Sequence, residues 1–366
     1  MRLLRIGIFF TALLSLCGAV VPAYGKNFFS DRVFTLSNAA DGNEVIMLKH
    51  NPWFGLIEIG RVATDGNGSG GGLGNQGALI TSGDKQWMYA VNPGSNSISV
   101  FHINRWGISL VETVDSGGVT PVSLAQHDDL LYVVNAGSDS IAGFSVDNGG
   151  LTPLADSVRS LSGSGTAPAQ ISFSPWGDML VVTEKNTNLI ATFSLNEDGV
   201  AESTVFNSSV VATPFGFGFD RYGHLLVTEA AGGAPDVSAV SSYDIEDDGT
   251  LTVLDGGVGT NETAACWLVT SRSGNTAFVT NTGSGTISAF KVNRRGNLRL
   301  TTSDGVTAST GEGTAPLDMA LSNGGRYLFA LASGNIISYR VIGNKHLRQV
   351  SSVSGLPGSA TGLLAL

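Results

Sequence analysis

Four stretches of this chain spell the same hairpin. Residues 88–103 read MYAVNPGSNSISVFHI, 131–146 LYVVNAGSDSIAGFSV, 277–292 AFVTNTGSGTISAFKV, and 180–195 LVVTEKNTNLIATFSL. Each is an apolar strand, a turn carrying Gly, Ser or Asn, and an alternating strand that ends near an aromatic residue. The aromatic positions recur as Phe101, Phe144, Phe193, Tyr243, Phe290 and Tyr339, at intervals of 43, 49, 50, 47 and 49 residues. A unit of this length cannot bury both its apolar faces alone, so copies must stack, and the period suits a four-stranded propeller blade.

Glycines punctuate the units in two places. Gly177, Gly223, Gly274 and Gly325 precede the second strand, and Gly107, Gly150, Gly199, Gly249 and Gly296 turn the third strand into the fourth. First strands are expected to begin near Ala78, Val122, Ala169, Phe215, Cys266, Leu317 and Ala360. Second strands are expected near Val33, Trp87, Leu130, Met179, His224, Ala277 and Tyr327. Third and fourth strands also occur seven times. The chain enters on a second strand and ends on a first, so SATGLLAL must complete the blade opened by RVFTLSN, closing the ring and hiding two sheet edges. The expected fold is an all-β, seven-bladed propeller of four-stranded antiparallel blades. Only 14% of the residues are charged and 49 are glycine, which agrees with short strands and tight turns.

Met1–Gly25 carries Arg2 and Arg5, an apolar run from Ile6 to Leu16 and small residues near Ala23-Tyr24-Gly25, the pattern of a secretory signal peptide. Residues 26–366 are then one propeller domain, exported to the periplasm or secreted, with no membrane span and expected as a monomer. Cys17 sits in a poor lipoprotein box because Leu16 replaces a small residue. After cleavage only Cys266 remains, so no intrachain disulfide forms. The mature chain has 18 basic and 30 acidic residues, a net charge of −12, which argues against nucleic acid as a partner.

Gly72-Leu73-Gly74-Asn75-Gln76-Gly77 fits G-x-G-x-x-G, yet a strand follows it at Ala78 instead of a helix, and no acid stands about 20 residues on to hold a ribose. The match is accidental and the glycines join one blade to the next. The five histidines are scattered without metal-ligand spacing. No cofactor and no metal are expected.

Segments such as GGGLGNQGAL, FSPWGDMLVVTEK, PFGFGFD and FVTNTGSGTISAF resemble the lactonase-like seven-bladed β-propeller family, which includes 6-phosphogluconolactonase and the 3-carboxymuconate cyclases. The resemblance covers Asp31 to Leu366. It implies a lactone-opening or lactone-forming activity on a sugar acid or muconate-type substrate, with catalytic His, Arg and Glu at blade openings. Those places here read Pro168-Ala169, Pro214-Phe215-Gly216 and Ala265-Cys266-Trp267, and Asn281-Thr282 stands where the resemblance implies Asn-Arg. Acidic residues remain at comparable places, Glu184 and Glu229.

Loops entering the inner strands share a face with the turns between second and third strands, around the channel mouth. Asn38, Asp41, Gln76, Asn92, Asn135, Gln170, Glu184, Lys185, Glu229, Asn281 and Asp318 are assigned to that face. Glu184 and Glu229 replace the repeated Asn at or near one blade position, which makes them the candidate general acid and base. Lys185, Gln170, Asp318, Asn135, Asn281 and Trp267 are the candidate substrate-binding residues. The asparagines suit their own turns more than a ligand, and Trp267 suits the core more than stacking on one. Two functions stay open. One is an exported lactonase or cyclase that uses carboxylates in a rearranged site; the other is a non-catalytic propeller binding a glycan, peptide or protein partner.

Overall fold

Burial follows position within each blade. Second strands are enclosed on both faces, as in Met179–Glu184, whereas outer strands such as Ala201–Ser208 and His346–Val353 are largely exposed. This is the pattern of sheets packed face to face around an axis, with only the outermost strand meeting water. The computed structural model describes residues 31–51, 54–343 and 345–366. The proposed signal peptide and Cys17 lie outside these residues.

The described residues form seven antiparallel sheets. Six blades run in chain order from inner to outer strand. Their inner strands are Leu79–Thr81, Pro121–His127, Pro168–Phe173, Pro214–Phe219, Ala265–Thr270 and Pro316–Leu321, in the second to seventh blades. The first blade combines Arg32–Leu36, Glu44–Asn51 and Gly55–Ala63 with the inner strand Thr361–Ala365. Val33 pairs with Ala365, Phe34 with Leu364 and Thr35 with Leu363, so the ring closes where the sequence pattern places the closure.

Phe101, Phe144, Phe193, Tyr243, Phe290 and Tyr339 are all fully buried between blades. Each such burial contributes about 1.5–3 kcal/mol. The tyrosine hydroxyls find partners, Tyr339 donating to the Ser309 carbonyl at 2.6 Å. In the third and sixth blades the outer strand is split, into Gly150–Pro153 with Arg159–Ser160 and Leu298–Leu300 with Ala308–Ser309. Pro153 explains the first break, since it has no N–H to continue a ladder. Gly223 shows why a turn glycine is required: its φ is +96°, and a Cβ there would lie 2.2 Å from the Trp176 ring of the neighbouring blade.

Candidate functional site

One mouth of the channel is occupied by the chain itself. The glycine-rich segment after the outer strand Gly55–Ala63 enters the axis, and Asn75 and Gln76 bond to four blades. Asn75 Nδ2 donates to the Val122 carbonyl, its Oδ1 accepts from Thr361 Oγ1 at 3.3 Å, and its carbonyl accepts from Trp267 Nε1 at 2.6 Å. The Gln76 amide N–H donates to the Ala169 carbonyl at 2.9 Å. Its side chain reaches the sixth blade, where Nε2 donates to the Leu268 carbonyl at 2.7 Å and Oε1 accepts from the Leu268 N–H at 3.1 Å. The G-x-G-x-x-G match is therefore a plug.

Around this plug the mouth is apolar. Ala169, Phe215, Cys266 and Trp267 pack together, with the Phe215 and Trp267 ring centroids 4.9 Å apart. These are the blade openings where the resemblance implies His and Arg. Lys185 is the cation here: its Nζ sits 4.8 Å from the Phe215 centroid and donates to the Gly74 carbonyl. Burial pushes this ammonium down to about 8, because little water remains to solvate the charge. Trp267 itself is buried and anchors the plug.

Glu184 and Glu229 end the second strands of the fourth and fifth blades, and both side chains are fully enclosed. Glu184 Oε1 accepts from the Ser162 N–H at 3.0 Å, while Oε2 accepts from Ser162 Oγ and from Thr187 Oγ1, the latter at 2.7 Å. Glu229 accepts from Ser241 Oγ at 2.6 Å and from the Tyr243 hydroxyl at 3.0 Å. Burial raises the Glu229 pKa against those hydrogen bonds. The two carboxylates share no partner: Glu184 ties the segment that enters its blade to the turn after its own strand, and Glu229 holds Ser241 and Tyr243 of the adjacent strand Ala239–Ile245.

The repeated asparagines occupy the same location. Asn135 Nδ2 donates to the Ser116 carbonyl at 3.1 Å, and Asn281 Nδ2 donates to Thr286 Oγ1 at 3.0 Å and Ser288 Oγ at 2.8 Å. Asn92 does likewise with Ser97 and Ser99, at 3.2 and 2.7 Å. A donor amide in some blades and an acceptor carboxylate in others therefore fill one place at the end of the second strand. Asn92, Asn281 and Glu184 bond into the turn or the start of the third strand, Asn135 to the segment entering its blade, and Glu229 to the third strand itself.

Gln170 and Asp318, which sequence reading groups with Gln76, line with it the wall of a funnel of about 470 Å³ that runs from the plug toward His127, Ser174 and Pro175. Both side chains project from inner strands toward the axis and clamp the neighbouring blade. Gln170 Nε2 donates to the Phe217 carbonyl at 3.1 Å and its Oε1 accepts from the Phe217 N–H at 2.7 Å. Asp318 accepts from the Met319 N–H at 2.7 Å and the Leu363 N–H at 2.9 Å. Asp318 is 3% exposed, and no ion pair to it occurs among the described residues. Burial pushes its carboxyl up to about 8, and the two N–H bonds only partly oppose this. His127, one of the scattered histidines given no role from the sequence, lies on the funnel wall; its signal was its place at the far end of an inner strand.

Among the described residues no group of three or more His, Cys, Asp or Glu is placed to hold a metal ion. No helix among them is long and apolar enough to cross a membrane.

Seven four-stranded blades around an axial funnel define a seven-bladed β-propeller. The chain belongs to the family described as Lactonase, 7-bladed beta-propeller, which it matches over residues 42–164 and 228–361, more than half of its length. Among solved structures it is similar to the periplasmic gluconolactonase PpgL of Pseudomonas aeruginosa, with 17% identity, a TM-score of 0.72, and coverage of 92% of this chain and 99% of that one. It is similar also to a candidate 6-phosphogluconolactonase of Bacteroides fragilis, at 18% identity, TM-score 0.70, and coverage of 93% and 99%. A Lactobacillus plantarum protein aligns with TM-score 0.74 at 16% identity over 92% and 99%. No curated protein matches the sequence.

Proposed function

We propose that this is an exported lactonase-type propeller that opens, or in reverse forms, a small lactone of the sugar-acid or muconate class in its axial funnel. The observation that carries this reading is the placement of Asp318, a buried carboxyl that desolvation pushes up to about 8, on the wall of a funnel of about 470 Å³. Lactone opening adds water across the ring acyl C–O bond. A base takes a proton from the attacking water, and the departing ring oxygen must receive one. A carboxyl poised near neutrality serves both steps. Gln76 and Gln170 each hold a neighbouring blade with one side-chain N–H and retain a second for a substrate oxygen. Family membership and the similarity to gluconolactonase structures support the reaction class. Export rests on Met1–Gly25.

A second reading has its own support. The apolar cluster of Ala169, Phe215, Cys266 and Trp267 fills the openings where the resemblance implies His and Arg, which favours a propeller that binds a glycan, peptide or protein partner without catalysis. A hydrolysis screen with sugar-acid and muconate-type lactones separates the two, using purified wild type, Asp318→Asn, and the Glu184→Gln/Glu229→Gln pair. Catalysis in the funnel requires activity in wild type that is lost in Asp318→Asn and kept in the folded Glu pair. Inactivity of wild type on every lactone, with saturable binding retained, selects the second reading.

A further inference from the structure

A second site lies far from the axis, in the groove between the first and seventh blades. In the strands Asn335–Ile342 and His346–Val353, Arg340 and Arg348 are direct register partners. Directly opposed like charges destabilise an antiparallel pair, with Cβ atoms only about 4.5–5.5 Å apart. Among the described residues neither guanidinium forms an ion pair, in a chain of net charge −10 with no shortage of acids.

Both arginines line a cavity of about 450 Å³ together with His50, Tyr327 and Ser351. His50 is 1% exposed and its ring is fixed edge-on against Tyr327 and Phe329, at centroid distances of 4.3 and 5.3 Å. Its Nδ1 has no hydrogen-bond partner, the Asp31 carboxylate being 3.6 Å away, and Ser351 Oγ is likewise buried without a partner. Buried polar atoms are normally satisfied, so the unpartnered Ser351 hydroxyl beside an imidazole whose Nδ1 has only the Asp31 carboxylate, beyond hydrogen-bond range, needs an explanation. The cavity wall is also built for close approach: a Cβ on Gly55, whose φ is +78°, would lie 2.7 Å from the Ser351 Cβ.

We propose that this groove binds a tetrahedral oxyanion, the phosphate or sulfate group of a small molecule. Two guanidinium forks present planar arrays of N–H donors to such an anion, and the serine hydroxyl and the imidazole add further polar groups. An anion between Arg340 and Arg348 removes the repulsion that the bare pair leaves in place. The site is independent of the funnel and of the reaction proposed there.

The test is a thermal-midpoint titration at fixed ionic strength, with inorganic phosphate, sulfate or chloride, alongside ³¹P line broadening for phosphate. Wild type is expected to gain several degrees, saturably, with phosphate and sulfate and nothing with chloride. The Arg340→Gln/Arg348→Gln variant alters two exposed side chains and relieves their repulsion, so it folds; its phosphate affinity should fall at least tenfold. Asp318→Asn should keep the full response. The proposal is overturned by a flat wild-type titration, by an unchanged response in the arginine variant, or by loss of the response in Asp318→Asn, which would put the anion in the funnel.

Discussion

Gln76 supplies to the sixth blade what Gly216 cannot. Around the axis, inner-strand amides accept a neighbour's help: Ile171 donates to Ser123 Oγ, Phe217 to Gln170 Oε1, and Leu363 to Asp318 Oδ2. The fifth blade has glycine at the corresponding place, and there the Gln76 carboxamide takes the Leu268 N–H and C=O. A Cβ on Gly216 would stand 2.3 Å from Gln76 Oε1 and 2.6 Å from the Cys266 carbonyl.

Replacing Gln76 by Ala leaves a backbone donor and an acceptor unpaired in the axis, which should destabilise by about 1–3 kcal/mol. Gly216→Ala should destabilise through overlap with the same carboxamide. Denaturant midpoints of the two singles and the double should show the double less damaging than their sum, because each change removes part of the other's defect. Strict additivity would mean that the two residues do not act through one contact.

The pH profile of stability should carry two opposite signatures. The folded chain holds the Asp318 proton to about 8, whereas the unfolded chain releases it near 3.8. The unfolded state therefore binds fewer protons in this window, and the group's contribution, full below about pH 4, declines as the pH rises to 8. Asp318→Asn should remove that decline, on the order of a few kcal/mol. Lys185 has the reverse sign: its pKa is about 8 folded and 10.5 unfolded, so its unfavourable contribution fades as the pH rises between them. Lys185→Met should remove the alkaline recovery. Thermal midpoints of wild type and both variants from pH 4 to 10.5 check the two slopes.

Glu184→Gln and Glu229→Gln should each destabilise by about 1–3 kcal/mol, because a carboxamide turns a donor toward groups that now donate, a backbone N–H and two hydroxyls to Glu184 and a hydroxyl to each oxygen of Glu229. Lactone opening by the folded variants should persist. An unchanged thermal midpoint with lost activity would instead assign them to the reaction.

A chain ending at Gly358 lacks the inner strand of the first blade. Leu363 and Ala365 are buried, and Val33 to Thr35 lose their partners on the axial side. Several buried apolar side chains at about 1.5–3 kcal/mol each are a large share of a typical ~5–15 kcal/mol margin. The truncated chain should melt far lower and aggregate through the bared edge, as read by calorimetry and light scattering. Equal midpoints would place the closure elsewhere.

The blades were legible because their contacts are local: Met88 and Phe101, or Leu180 and Phe193, sit in one hairpin and repeat every blade. The closing pair was legible by counting strand types. The site was much less so. Gln76 meets Leu268 across 192 residues, and no periodicity announces that contact. Sequence assigns Asp318 and Gln170, with Gln76, to the channel mouth, but it does not say that the chain itself plugs that mouth, so their place on the wall of the channel behind the plug was not legible. Glu184 and Glu229 broke the repeat as letters while filling the asparagine's place as hydrogen-bonding hubs.

The pairing of Thr35 with Leu363 also sets an order of events during synthesis. Thr35 Oγ1 bonds to the Thr361 carbonyl across 326 residues, so the first blade waits, with its axial edge bare, while the other six are made. A nascent chain emerging N-terminus first holds an incomplete ring until the end. Its most vulnerable surface is the one synthesised earliest, and any factor that shields the chain before completion should be found on Arg32–Leu36.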